Sequence, residues 1–203
     1  MARVFDSAAS SLHSYSMGIG YRFLNRIVAA LWLVVAFSLP VGAENSDRAM
    51  EMLQKLPEAE PKEARRLARE IEHEWSKTGS PAMDLLLKRG REALEAGDSR
   101  AAIEHLTALT DHAPEFAEGW HLRAIALANS ERYGPAIEDL SRALALNPHN
   151  FNAMYSLGSV LDEVGYPDLA QEAFLRAASI HPHSEDVTKA LERVAREVGG
   201  ADL

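Results

Sequence analysis

Pro114, Pro148 and Pro182 follow one another at intervals of thirty-four residues. Each interrupts a stretch that otherwise makes a good helix: "TALTDHAPEF", "SRALALNPHN" and "RAASIHPHSE". Proline has no N–H to donate, and its ring clashes with the preceding turn, so it ends a helix that reaches it. Three helices stopped at one fixed interval are the mark of a copied unit. The blocks that the prolines close are residues 83–116, 117–150 and 151–184.

Aligned, each block reads as two amphipathic helices joined by a tight turn. The eighth place holds Gly90, Ala124 and Gly158, and the twentieth holds Ala102, Ala136 and Ala170. Small residues at fixed places let two helix axes approach, because a larger side chain would wedge them apart. Large apolar groups stand at the fourth place (Leu86, Trp120, Met154) and the twenty-fourth (Leu106, Leu140, Phe174). Gly97 and Gly165 occupy the fifteenth place, where a helix end favours the left-handed conformation that glycine adopts cheaply. The middle block has Glu131 there, so its turn is expected to differ or to be strained.

This combination resembles the tetratricopeptide repeat, TPR, most clearly in "AEGWHLRAIALANSERYGPAIEDLSRALALNP". Trp120, Tyr133, Ala136, Ala143 and Pro148 stand there at family positions. Arg89 and Arg123 depart from the pattern at the seventh place and Leu109 at the twenty-seventh. The resemblance implies an all-α fold, an α-solenoid of three TPR helix hairpins, with Gly90, Ala102, Trp120, Ala124, Ala136, Gly158, Ala170 and Phe174 packing the repeats.

A stack of repeats needs covers for its open ends. Residues 185–203 supply one, a helix carrying Val187, Leu191, Val194 and Val198 along one face, with Ser184 as its cap. Residues 44–79 read as a degenerate helical hairpin capping the other end, because Ala64, Leu67, Ala68, Ile71 and Trp75 keep helical spacing. Ser80-Pro81 opens the repeat region, 80–184, with an N-cap and a proline at the first helical position.

Residues 1–43 differ from all this. Arg22 and Arg26 precede a run without charge, Ile27 to Ala43, whose apolar centre of 13 residues is short for a membrane span of about 20. Pro40 and the small residues of Val41-Gly42-Ala43 predict a signal peptide cut between Ala43 and Glu44, with Met17 a plausible start, and a periplasmic protein. The alternative is an inner-membrane anchor over residues 27–43, and only an uncleaved segment would make the membrane a partner. Cleavage would remove Asp6, Arg3, Arg22 and Arg26 and take the formal net charge from −9 to −11. A surface so acidic repels nucleic acid phosphates, so no nucleic acid partner is expected.

Catalytic signatures are missing. Cysteine is absent, which excludes thiol nucleophiles and thiolate metal sites. Neither a phosphate-binding GxxxxGK[ST] loop nor a GxSxG elbow occurs. His73-Glu74-Trp75-Ser76-Lys77 begins like a zinc-protease motif, but Lys77 stands where the second histidine must be. His105 and His112 are about 10 Å apart along a helix, too far to share a metal. No enzyme activity, metal or cofactor is expected.

In TPR proteins the first helix of each repeat lines a concave face. Carried over, the resemblance places Leu87, Arg91, His121, Ile125, Asn152, Tyr155 and Ser159 in a peptide-binding groove. Family members that clamp a peptide's terminal carboxylate use basic side chains; Leu87, His121 and Tyr155 at the fifth place and Arg91, Ile125 and Ser159 at the ninth match poorly. The resemblance therefore implies an exported scaffold or adaptor that binds another protein or peptide. The alternatives are an envelope assembly factor, such as a cytochrome c maturation accessory, and a self-associating structural protein.

Overall fold

The computed structural model describes residues 41–200, with side chains from 47 to 197. The predicted leader lies outside these residues except for its last three, which begin the first helix. The described residues form nine α-helices and no strand: α1 Val41–Lys55, α2 Pro61–Trp75, α3 Pro81–Glu95, α4 Ser99–His112, α5 Ala117–Ala128, α6 Tyr133–Leu146, α7 Phe151–Glu163, α8 Pro167–Ile180 and α9 Glu185–Gly200. None of them is long and apolar enough to cross a membrane. The architecture is an α-solenoid of three hairpins, α3–α4, α5–α6 and α7–α8, closed by α9.

Small residues set how closely each hairpin closes. A Cβ added at Gly90 would lie 2.6 Å from the Leu106 side chain, and one at Gly158 would lie 2.5 Å from the Phe174 ring. Leu106, Leu140 and Phe174 have no exposed surface, and neither do Ala102, Ala124, Ala136 and Ala170. In copies one and three the eighth place thus receives the side chain of the twenty-fourth, and in copy two Ala124 and Leu140 share one buried cluster. Between copies one and two the fit is also reciprocal. Leu109, larger than the alanines at its place in the other copies, rests where a Gly119 Cβ would come within 3.3 Å of it.

The three turns share one backbone shape. Gly97 and Gly165 have φ of 74° and 83°, and Glu131 holds φ 58° at the same place. The middle turn does not differ, so it is strained: a side chain costs roughly 1–2 kcal/mol in the left-handed region. Asp98 and Asn150 cap α4 and α7 by accepting the N–H of Ala101 and Ala153 at 3.0 Å. Ser80 makes no side-chain cap to α3, contrary to expectation. Thr78 serves instead, its hydroxyl accepting the Ser80 N–H at 3.1 Å and donating to Asp84 at 2.6 Å. Ser184 does meet the Val187 N–H, at 3.4 Å, and α9 buries Val187, Ala190 and Val194.

The N-terminal hairpin forms, but it does not cover the first repeat. Its buried residues Met52, Leu53, Leu56, Leu67 and Ile71 share one core cluster with Phe151, Met154 and Phe174 of the third copy and Val187 and Val194 of α9. Trp75 tilts against Phe151 with ring centroids 5.3 Å apart. α9 and the start of α7 offer Val187, Val194 and Phe151 to the hairpin, whereas α3 leaves Asp84, Leu85, Lys88 and Glu92 exposed.

Three substitutions test this packing and the middle turn. Gly158→Ala should lose up to about 2 kcal/mol in urea unfolding, because overpacking costs roughly 1–3 kcal/mol and helix propensity returns about 1. Adding Phe174→Leu should recover most of that loss, since copy two already pairs Ala124 with Leu140. Glu131→Gly should stabilise by about 0.5–1 kcal/mol, the relieved strain less the extra entropy of glycine.

Candidate functional site

The first helices α3, α5 and α7 adjoin one another, so they line the inner side of the stack. A chain of polar contacts runs across them. Arg91 on α3 donates to Ser76 Oγ at 2.8 Å and to Glu118 Oε1 of α5 at 3.0 Å. His121 Nδ1 donates to Glu118 Oε2 at 3.2 Å, and its Nε2 shares a 3.1 Å hydrogen bond with the Ser156 hydroxyl of α7. Three repeats and the end of α2 are thereby joined through side chains alone. Burial pushes the Glu118 carboxyl up, but the hydrogen bonds and charges of His121 and Arg91 outweigh it and hold the group below its ordinary value.

The predicted groove residues divide into three groups. Leu87 and His121 are not open: they are 4% and 5% exposed. Leu87 closes into the cluster of Leu106 and Leu122, where a leucine gains about 2 kcal/mol by leaving water. His121 is filled by its two polar partners. Arg91 and Asn152 are engaged by the N-terminal hairpin, Asn152 Nδ2 donating to Glu72 Oε1 at 2.8 Å. Ile125, Tyr155 and Ser159 come together with Ala128, Asn129 and Val160 around a depression of about 270 Å³ between α5 and α7. Tyr155 forms one wall, its ring 5.7 Å from that of Phe174. The Ser159 hydroxyl is already committed to the Tyr155 carbonyl at 3.0 Å. The depression is therefore largely apolar with one amide, Asn129, at its edge.

The packing residues lie where the two helices of a hairpin touch, with Trp120 half-buried. Its indole N–H donates to the Pro114 carbonyl at 3.0 Å, and the Arg123 guanidinium sits 4.7 Å from its ring centroid. Arg123 replaces the expected leucine with a different bond. It donates twice to the buried Asp139 at 2.7 Å and once to Thr110 at 2.9 Å. His181, at a repeat corner, is buried against Phe151, and among the described residues no group of three or more metal-ligating side chains comes together. Glu72, Ser76 and Ser156 were not expected at the site. The buried His121 is the one sequence signal for Ser156, since an imidazole out of water needs a polar partner.

Comparison with known proteins agrees with this geometry. Residues 117–150 and 151–184 each match the family description "Tetratricopeptide repeat". These two blocks are tetratricopeptide repeats. Block 83–116 has the same hairpin. A TPR repeat-containing protein of Rhizobium etli is 29% identical over 119 residues, 59% of this chain, and this chain spans 58% of that relative's length. Among solved structures, the first TPR of Spaghetti bound to an HSP90 peptide has a TM-score of 0.56 at 20% identity, covering 58% of this chain and 93% of its own. The TPR2B domain of yeast Sti1 in complex with pHsp70 has a TM-score of 0.55 at 22% identity, covering 58% of this chain and 99% of its own. At these identities the likeness is one of fold. In this chain α2 lies against the inner face.

Glu118 gives this site an acid dependence. Its folded value lies below its ordinary 4.5, so its contribution is complete above that pH and is lost as pH falls through the folded value. Glu118→Gln should cost about 1–3 kcal/mol at pH 7 and flatten the acid limb of a stability–pH profile measured by urea unfolding.

Proposed function

We propose that this chain is a non-enzymatic scaffold that holds a segment of another protein on its inner face, centred on the depression of Ile125, Tyr155 and Ser159. The open, largely apolar depression of about 270 Å³ carries this reading. It has room for one or two apolar side chains, a rigid aromatic wall and one amide for orientation, the mix that protein interfaces favour. Support comes also from fold neighbours solved with peptides of HSP90 and with pHsp70.

Recognition runs through side chains of the bound segment, not through its terminal carboxylate. Arg91 and His121 are the candidate groove residues that can carry positive charge, and both are already paired with Glu118. We also propose export, on the strength of the apolar run Ile27 to Leu39 and the small residues before Glu44.

A photo-reactive amino acid placed at Ser159 and, separately, at Arg176 on the outer helix α8 tests this in the native cell. Adducts should form with a discrete protein from position 159 and not from position 176. Adducts from 176 alone would move the interface to the outer face.

A further inference from the structure

Helix α2 occupies part of the surface that the repeats offer to a partner. Glu72 takes the amide of Asn152, Ser76 takes Arg91, and Trp75 covers Phe151. Leu67 and Ile71, one turn apart, are buried in the cluster that Tyr155 also touches. Tyr155 therefore borders both the open depression and the resident helix.

The seam beneath the hairpin is imperfect. A cavity of about 340 Å³ separates Met50, Leu53 and Trp75 from Phe116, Leu146 and Pro148 at the repeat corners. Glu74 is buried at this seam, yet its ion pairs are with Lys77 at 2.6 Å and Arg48 at 3.6 Å, both on the hairpin side. Burying that carboxylate costs desolvation and adds no bond to the solenoid. Lifting the hairpin would rehydrate it without breaking its pairs. The Thr78 contacts fasten the far end of the linker to α3, while the Ser76 and Lys77 N–H groups bond back to α2, so the joint lies between Lys77 and Thr78.

We propose that α2 is a displaceable occupant of the inner face, and that the surface beneath it fits a partner's amphipathic helix. That helix would carry two aliphatic side chains four residues apart, then an acid and an aromatic, the pattern of Leu67, Ile71, Glu72 and Trp75. This rests on the inner-face reading above and adds the class of partner and its regulation. Because only the open state is competent, the apparent affinity is the intrinsic one reduced by the open fraction.

The probe is a fluorescein-labelled peptide of residues 61–76, titrated into the full chain and followed by anisotropy. Trp75→Ala, which loosens the resident helix, should bind the peptide about tenfold or more tighter than the unaltered chain does. Adding Asn152→Ala should remove most of that gain. Since the chain has no cysteine, Arg65→Cys with Glu185→Cys, both exposed, can be joined by a bis-maleimide to hold the hairpin down. Joining should abolish peptide uptake, and the same double variant left unjoined should retain it. Equal binding by joined and unjoined chains, or no binding by helical Trp75→Ala and unjoined chains alike, would overturn the proposal. If Trp75→Ala does not fold, the joined and unjoined pair decides alone. Peptide exchange together with adducts only from position 176 would instead sink the depression as the partner's site and leave the hairpin mobile.

Discussion

Everything in this molecule depends on the contact between the eighth and twenty-fourth places of each hairpin. At that contact two helix backbones come close enough for Phe174 or Leu106 to lie where a Cβ would otherwise be. Repetition of that contact three times produces parallel first helices on one side of the stack. Only then can residues far apart in sequence, such as Arg91, Glu118, His121 and Ser156, meet in one line. The functional surface is a consequence of axis spacing before it is a matter of side-chain chemistry.

The inner face combines two unlike materials. One is the line of part-buried hydrogen bonds from Arg91 to Ser156, which ties neighbouring repeats together and offers little to a ligand. The other is the shallow apolar hollow around Tyr155, which is open. Between them stands the N-terminal hairpin, which takes polar partners from the first and third repeats at once. A chain that supplies part of its own ligand in this way has its affinity set by an internal equilibrium as well as by contact area.

Much of this was legible in the sequence, and the failures have physical causes. The helix pairs, the close approaches and the shared turn geometry follow from residue size and backbone freedom, which act locally. Glu131 is an instance: the repeat imposes φ 58° on a residue that would avoid it. The hairpin's destination was not legible. A stripe of Leu67, Ile71 and Trp75 tells how much apolar surface must be covered, but not which of two ends of a solenoid will cover it. Leu87 and His121 misled for a related reason. A family position indicates the direction of a side chain from its helix, while burial depends on the neighbouring repeat, here Leu122 and Ser156. Arg123 likewise broke the apolar pattern but not the packing, because Asp139 stands opposite it.

The folding back of the hairpin onto the third repeat is the central claim, and Trp75 reports it. Proton NMR of the full chain should give nuclear Overhauser contacts from the Trp75 indole to the Phe151 ring, whose centroids lie 5.3 Å apart. An indole with contacts to Met83 or Leu86 of the first repeat, and none to Phe151, would contradict it.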